Sequence, residues 1–292
     1  MKTLKLGLAL GAGGTKGAAH VGVMQVLDEA GIAVDVIAGT SIGSLYGGLV
    51  AVGRSPHEIA EGIRDNPTRE VVEFFRRRLK IRDDNRLSRR FYEALAGFHI
   101  EDLPIPYAAT ASDIVEKRSV TIASGPIIDA IEASIAIPVI ARPVVHQGRY
   151  LLDGGFWDAA PVDAATELGA DVIIAVELGH PYTLPERLRE PASWLAQRMD
   201  RAALHRTFAG VPFTISAAAS ELRPGRTAHL VLRPVMTGLA NSVLGMTHCL
   251  DAGAEAAREA LPAIRALLAG ETPRAVAAEY AHGALRADPG LA

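Results

Sequence analysis

Leu6-Gly7-Leu8-Ala9-Leu10 passes directly into Gly11-Ala12-Gly13-Gly14-Thr15-Lys16-Gly17, and this stretch decides the fold. The same order recurs where residues 34–38 lead into Gly39-Thr40-Ser41-Ile42-Gly43. Short, bounded aliphatic runs are typical of buried parallel strands. Helical spacing of apolar residues follows each glycine segment, over residues 15–30 and 41–52. This β-α-β-α start predicts an α/β fold with three α/β/α layers, a mostly parallel central sheet and a ligand crevice at the carboxyl ends of its strands.

The second glycine segment places Ser41 in a Gly-x-Ser-x-Gly pattern between a strand and a helix. In a nucleophile elbow this pattern forms a strained turn that lifts a serine hydroxyl away from the sheet edge. A chain with 28 glycines in 292 residues can also contain the pattern by chance, as an ordinary turn. Its position after a strand favours the elbow, so Ser41 is the leading candidate for a nucleophile.

The composition is that of an ordinary globular protein, with 49% hydrophobic residues, 22% charged residues and a net charge of −3. This balance gives no reason to expect a nucleic-acid partner. The single cysteine, Cys249, cannot form an intrachain disulfide and suits a reducing compartment. The nine histidines are scattered without a metal-ligand motif. We therefore expect a cytoplasmic protein with no metal and no cofactor, in at most transient peripheral contact with membranes.

In the rest of the chain, predicted strands and helices continue to alternate. Strands are predicted at residues 107–113, 118–123, 172–178, 214–216 and 230–232, helices at 126–134, 159–168, 184–208 and 241–268, and a hairpin at 142–152 that turns at Gln147-Gly148. We interpret residues 1–270 as one domain and residues 271–292 as a loosely ordered C-terminal tail.

A basic helical insertion is predicted within that domain at residues 64–98. Residues 64–90 carry ten basic and five acidic side chains, with aromatic residues such as Phe74 and Phe75 among them. A solvated helix pair with an aromatic inner face is the favoured interpretation, because charge runs usually serve solubility. The alternative is a surface that rests on an anionic membrane or caps the mouth of an active site.

Acyl transfer from an ester requires a nucleophile, a base and donors for the developing oxyanion. Ser41 supplies the nucleophile. The backbone N–H groups of residues 11–17 can supply the donors, since they lie at a helix N-terminus, and Lys16 adds a positive charge there. Such a loop can instead bind phosphate, but counting from Gly11 puts Lys16 where the last glycine of a dinucleotide motif should stand. Nucleotide binding stays an alternative.

At this point the chain resembles the patatin-like phospholipases, in particular their bacterial members and the neuropathy target esterase branch. The resemblance rests on motifs in the family's order between Leu6 and Leu178. Besides the loop and the elbow these are Ala133-Ser134-Ile135-Ala136-Ile137-Pro138, Leu152-Asp153-Gly154-Gly155, Ala160-Pro161-Val162 and Glu167-Leu168-Gly169-Ala170-Asp171.

The resemblance implies an α/β hydrolase with a Ser-Asp dyad, acting on a lipid or other ester as a phospholipase A or lysophospholipase. Ser41 would attack the ester carbonyl, and Asp153 would take its proton and return it to the leaving alcohol. The N–H groups of Gly13, Gly14 and Ile42 would hold the oxyanion. Supporting positions carried over from the motifs are Gly11, Ala12, Lys16, Gly17, Gly39, Gly43, Gly154 and Gly155. For Asp153 to act as a base, burial would have to raise its pKa.

Three positions depart from the family pattern. Ala12 replaces the loop's usual first glycine and resists a positive φ. Lys16 replaces the commoner arginine, which keeps the charge but loses the planar fork. Val139 follows Pro138 where glycine is usual.

Several alternatives remain open at this stage. His20 or His146 could complete a triad, and Asp113, at the end of a predicted strand, could line the crevice. The same dyad could serve a carboxylesterase or an acyltransferase, and a non-catalytic regulatory protein could retain the fold. The sequence does not indicate the oligomeric state.

Overall fold

A mixed sheet of nine strands forms the centre of the part of the chain that the structure describes. The structure is a computed structural model, and the described residues are 4–65, 89–137, 141, 143–179, 228–236, 245–272 and 285–286. The predicted helix at 184–208, the predicted strand at 214–216 and Val139 lie outside these residues. The middle of the basic insertion, residues 66–88, and most of the predicted tail also lie outside them.

The strands are β1 (Leu6–Leu10), β2 (Val36–Thr40), β3 (Tyr107–Asp113), β4 (Arg118–Ile122), β5 (Val144–His146), β6 (Arg149–Asp153), β7 (Val172–Val176), β8 (Leu230–Leu232) and β9 (Leu285–Arg286). Their spatial order is β5-β6-β3-β2-β1-β7-β8-β9, and β4 also pairs with β3. Neighbours are parallel from β3 through β2, β1 and β7 to β8. The pairs β3–β4, β3–β6, β5–β6 and β8–β9 are antiparallel. The five parallel strands therefore direct their carboxyl ends to one edge.

The helices are α1 (Ala18–Glu29), α2 (Ile42–Ala51), α3 (Pro56–Asp65), α4 (Arg89–Leu95), α5 (Ile127–Ser134), α6 (Val162–Glu167) and α7 (Met246–Leu268). Short 3-10 turns precede α1 at Gly14–Gly17 and follow β6 at Gly154–Phe156. Within the described residues, no helix is both long enough and apolar enough to cross a bilayer.

Each face of the sheet is covered by its own set of side chains. Leu8 and Leu10 of β1 belong to a large core that also includes buried residues of α1, α2, α5 and α7. The opposite face has a row of small residues at one level of four adjacent strands, Ala108, Ala38, Ala9 and Ala175. These alanines pack with Val162, Ala164 and Ala165 of α6. Small side chains let this short helix approach the sheet closely, and the result is three layers.

Helices α1 and α7 cross with their backbones in close contact. A Cβ atom on Gly22 would lie 2.0 Å from the carbonyl oxygen of Leu250, and one on Gly253 would lie 2.0 Å from the carbonyl oxygen of Ala19. Real Cβ atoms do not approach so closely, so the crossing requires glycine at both positions. Because α7 comes from near the end of the described chain, it ties that region to the first helix.

The architecture confirms the predicted α/β/α fold with a mostly parallel sheet, and some element bounds differ. Strand β2 extends two residues further than predicted, to Thr40, because Thr40 pairs with Thr110 of β3. The predicted helix at 159–168 begins only at Val162, after Pro161. The hairpin turns at Gln147 and Gly148 as predicted, with φ angles of 48° and 78°. In the predicted tail, Leu285 and Arg286 pair with β8.

Candidate active site

Three segments meet at the carboxyl edge of the parallel strands. The glycine loop follows β1, and Ser41 follows β2 directly. Asp153 ends β6, which runs antiparallel to β3 and places Asp153 opposite Ala111. The order of strands, β6-β3-β2-β1, thereby brings together residues that are 112 positions apart in the sequence.

Ser41 has the strained backbone of a nucleophile elbow, with φ 54° and ψ −122°. A positive φ is uncommon for a residue other than glycine, and holding it costs about 1–3 kcal/mol. The turn is so tight that a Cβ atom on Gly39 would lie 2.4 Å from Ser44 Cα, and one on Gly43 would lie 2.2 Å from the Leu10 carbonyl oxygen. The two glycines of the motif are therefore steric requirements of the turn.

The hydroxyl of Ser41 donates a hydrogen bond to the carboxylate of Asp153, with 2.5 Å between Oγ and Oδ2. The other carboxylate oxygen, Oδ1, accepts the N–H of Gly155 at 2.9 Å. Ser41 is 5% exposed and Asp153 is fully buried. The hydroxyl and the carboxylate meet directly, so the contact leaves no place for an intervening imidazole.

The proposed oxyanion donors belong to the glycine loop after β1 and to the first residue of α2, which follows Ser41 directly. The backbone N–H groups of Gly13, Gly14 and Ile42 have no hydrogen-bond acceptor among the described residues. Gly14 has a φ of 59°, which glycine adopts without strain. Ala12 has no positive φ, and its N–H donates to the Ala159 carbonyl at 2.8 Å. Alanine therefore fits at this position without backbone strain.

Lys16 is buried and is bound to the end of the neighbouring strand. Its Nζ donates to the carbonyl oxygen of Leu178 at 2.5 Å. Burial lowers the pKa of Lys16 below its ordinary value. Gly13 packs closely against the side chain of Leu178, since a Cβ atom on Gly13 would lie 2.7 Å from Leu178 Cδ1. The structure thus shows Lys16 attaching the glycine loop to the segment after β7, a contact that the sequence did not predict.

The two histidines considered for a triad are placed elsewhere. His20 is fully buried in α1, and its Nε2 lies 2.7 Å from the Gly11 carbonyl oxygen, so Nε2 carries the proton. Burial lowers the pKa of His20 to about 4. His146 lies on β5 and pairs with Arg149 across the hairpin. Within the described residues, no hydrogen bond joins either histidine to Ser41 or Asp153.

Asp113, the last residue of β3, has a structural role in the turn that follows this strand. Its Oδ1 accepts the N–H groups of Val115 and Glu116, each at 2.9 Å, and the side chain is buried. These contacts close the turn between β3 and β4. That Asp113 also lines the crevice stays a prediction.

Sequence reasoning missed Ser134, which ends α5. Ser134 Oγ accepts the N–H of Ser41 at 2.8 Å and donates to the Thr110 carbonyl at 2.7 Å. Two residues further on, the carbonyl of Ala136 accepts the N–H of Asp153 at 3.0 Å. The motif Ala133–Pro138 contributed to the family resemblance, but its residue types alone indicated no role.

The arrangement contains the parts that acyl transfer needs: a hydroxyl, a carboxylate hydrogen-bonded to it, and backbone N–H groups in the segments that follow β1 and β2. Among the described residues, no group of three histidine, cysteine or acidic side chains could hold a metal ion. The chemistry that this geometry supports is nucleophilic attack by the serine, with the aspartate accepting its proton.

Comparison with known proteins shows which family this chain is similar to. The family model described as patatin-like phospholipase matches residues 8–166. An uncharacterized NTE family protein of Mycobacterium tuberculosis is 37% identical over 224 residues, covering 75% of this chain and 60% of the relative. A protein named lysophospholipase nte1 from Aspergillus fumigatus is 34% identical over 182 residues, covering 60% of this chain and 12% of the relative. The crystal structure of VipD from Legionella pneumophila matches with a TM-score of 0.48 and 15% identity, covering 89% of this chain and 67% of VipD.

Proposed function

Since the chain belongs to the patatin-like phospholipase family, we propose that it is a serine acyl hydrolase of lipid esters, of the phospholipase A or lysophospholipase type. The observation that carries the proposal is the hydrogen bond from Ser41 Oγ to Asp153 Oδ2 at the carboxyl edge of the sheet. The name of the fungal relative, lysophospholipase, supports a lysophospholipid as the first substrate to test. The chain spans about 60% of the length of the mycobacterial relative, so its activity is proposed from the site and the family.

In the proposed mechanism Ser41 Oγ attacks the ester carbonyl carbon while its proton passes to Asp153 Oδ2. The carbonyl oxygen becomes an oxyanion that accepts hydrogen bonds from the N–H groups of Gly13, Gly14 and Ile42. When the carbon–oxygen bond to the alcohol breaks, Asp153 returns the proton to the leaving alcohol. The products of this half-reaction are the free alcohol and an acyl-enzyme on Ser41.

In the second half-reaction a water molecule hydrolyses the acyl-enzyme, and Asp153 again acts as the base. Asp153 accepts a proton from the water molecule while the water oxygen attacks the acyl carbonyl carbon. The same three N–H groups hold the second oxyanion. Collapse releases the carboxylic acid and returns the proton to Ser41 Oγ. Replacement of water by another alcohol would give acyl transfer with the same residues.

Turnover of lysophosphatidylcholine and of 4-nitrophenyl butyrate tests the proposal. We expect wild-type protein to hydrolyse both esters. Ser41→Ala, which removes the attacking oxygen, and Asp153→Asn, which removes the proton acceptor, should each lower kcat by at least about 10³-fold. His146→Ala is the matched control for a triad and should retain kcat within about threefold.

Three outcomes would contradict the proposal. Substantial turnover by Ser41→Ala would exclude Ser41 as the nucleophile. A loss in His146→Ala equal to that in Asp153→Asn, with both variants folded, would exclude the dyad. No turnover of either ester by the wild type would favour a regulatory protein that retains the fold.

A further inference from the structure

We propose that Ser134 is a positioning residue that fixes the nucleophile elbow in the conformation in which Ser41 meets Asp153. This inference rests on the proposed function and adds a residue to it. It starts from the backbone of Ser41, whose strained conformation requires its surroundings to hold it in place.

The N–H of Ser41 depends on a side chain for its hydrogen bond. Ser41 lies one residue before α2, and its amide donates to Ser134 Oγ at 2.8 Å. A buried N–H group without an acceptor is strongly unfavourable. The hydroxyl of Ser134 therefore satisfies the amide of the one residue in the turn whose backbone is strained.

Ser134 is itself held in one orientation. The residue is fully buried, and its hydroxyl proton is donated to the Thr110 carbonyl at 2.7 Å, which leaves an oxygen lone pair directed at Ser41 N–H. Thr110 belongs to β3, the strand between β2, which precedes Ser41, and β6, which carries Asp153. The hydrogen bonds thus attach the elbow to the strand that separates the two members of the pair.

The same short segment also holds the aspartate. The N–H of Asp153 donates to the Ala136 carbonyl at 3.0 Å, only two residues after Ser134. A movement of residues 134–136 would therefore shift both Ser41 and Asp153. Residues 134–136 therefore set the distance between the Ser41 hydroxyl and the Asp153 carboxylate. Ser134 Oγ is the side-chain atom in this segment that determines the position of Ser41.

Ser44 offers a matched control. It is a second fully buried serine, and its hydroxyl donates to the carbonyl of Ser41 at 2.6 Å. That carbonyl also accepts the N–H groups of Ser44 at 2.9 Å and Leu45 at 3.3 Å. Ser44→Ala therefore removes a hydroxyl from the opposite side of the same residue without leaving a backbone group unpaired.

The test compares Ser134→Ala, Ser134→Thr and Ser44→Ala on 4-nitrophenyl butyrate. We expect Ser134→Ala to lower kcat by about 10- to 100-fold with KM within about twofold, since a small misplacement of reacting groups has an effect of this size. Ser44→Ala should keep kcat within about threefold. Ser134→Thr, which keeps the hydroxyl, should recover most of the loss. Equal losses of kcat in Ser134→Ala and Ser44→Ala would overturn the proposal.

Hydrogen exchange of the Ser41 amide provides a readout that does not require activity or the threonine variant. Exchange should be at least about tenfold faster in Ser134→Ala than in Ser44→Ala under conditions where both are fully folded. Equal exchange rates would overturn the role of Ser134. Absence of ester turnover in the wild type would instead refute the proposed function, and the exchange comparison would still decide whether Ser134 fixes the elbow.

Discussion

At the scale of single residues, burial makes His20 a neutral hydrogen-bond donor and not a member of a catalytic triad. A histidine near a serine and an aspartate suggests a triad, but His20 is fully buried and its Nε2–H donates to the Gly11 carbonyl. Burial disfavours the charged imidazolium and lowers the pKa of His20 to about 4. His20 is therefore neutral at pH 7 and holds the start of the glycine loop.

The lowered pKa of His20 predicts a specific loss of stability in acid. Between pH 6.5 and pH 4 the unfolded chain binds a proton that the folded chain does not, so the free energy of unfolding falls as the pH falls. Because the folded-state pKa is about 4, this residue alone should lower the free energy of unfolding by about 2 kcal/mol between pH 7 and pH 5.

His20→Gln is the variant for this prediction, since glutamine keeps an N–H donor for the Gly11 carbonyl but does not titrate. Urea unfolding at pH 7 and pH 5 should show a smaller loss of stability in the variant than in the wild type, by about that 2 kcal/mol. Parallel pH profiles would show that His20 is not the source of the acid sensitivity. Retention of kcat by the variant at pH 8 would also agree with a dyad.

At the scale of elements, the crossing of α1 and α7 is the contact most sensitive to one added methyl group. The Cβ of alanine at position 22 would meet the carbonyl oxygen of Leu250 and the backbone nitrogen of Ala254, at 2.0 Å and 2.7 Å. Backbone atoms on a packed helix cannot move aside locally, so the two helices would have to separate.

Gly22→Ala should therefore destabilise the protein by about 2–3 kcal/mol, although alanine favours helix more than glycine does. Glu255→Ala, at an exposed position of α7, serves as the control and should change stability by less than about 0.5 kcal/mol. Chemical unfolding measures both. A Gly22→Ala variant as stable as the wild type would mean that the helices are not in backbone contact.

Elements with a strong local signal could be predicted from the sequence, and those set by tertiary contacts could not. Strands β1, β3 and β8 begin and end at the predicted residues, because each forms a compact run between clear breaks. The predicted helix over residues 15–30 begins instead with a 3-10 turn at Gly14–Gly17, where the glycine loop bends toward Leu178. That contact joins residues far apart in the sequence, and periodicity does not report it.

The candidate site divides in the same way. Ser41 and Asp153 could be named from motifs because their residue types carry the chemistry, and the structure places them in contact. Ser134 could not, because a serine at the end of a helix has many ordinary roles and its partners, Ser41 and Thr110, are not neighbours in the chain. The partner of Lys16 was missed for the same reason.

At the scale of the whole molecule, the sheet extends beyond the segment that the family model matches. The match covers residues 8–166, yet β1 is flanked on one side by β7, and α1 packs against α7. A fragment that ends at residue 168 would leave β1 as an exposed sheet edge and uncover the apolar face of α1.

We predict that the fragment of residues 1–168 does not fold on its own, whereas residues 1–292 unfold cooperatively. Circular dichroism during urea titration and size-exclusion chromatography compare the two chains. The fragment should lack a cooperative transition and should aggregate, because it exposes contiguous apolar surface. A fragment that is monomeric, unfolds cooperatively and still hydrolyses esters would contradict the interpretation of residues 1–270 as one domain.

The most direct measurement of the central claim is covalent labelling with a fluorophosphonate probe, followed by mass spectrometry of the modified peptide. An activated serine loses its proton to the base, attacks the phosphorus and displaces fluoride, and its oxygen stays covalently attached to the phosphorus. We predict that the wild type is labelled on Ser41 and that Asp153→Asn is labelled at least about 10²-fold more slowly. Modification of a different serine, or labelling of Asp153→Asn at the wild-type rate, would contradict the assignment of Ser41 as a nucleophile activated by Asp153.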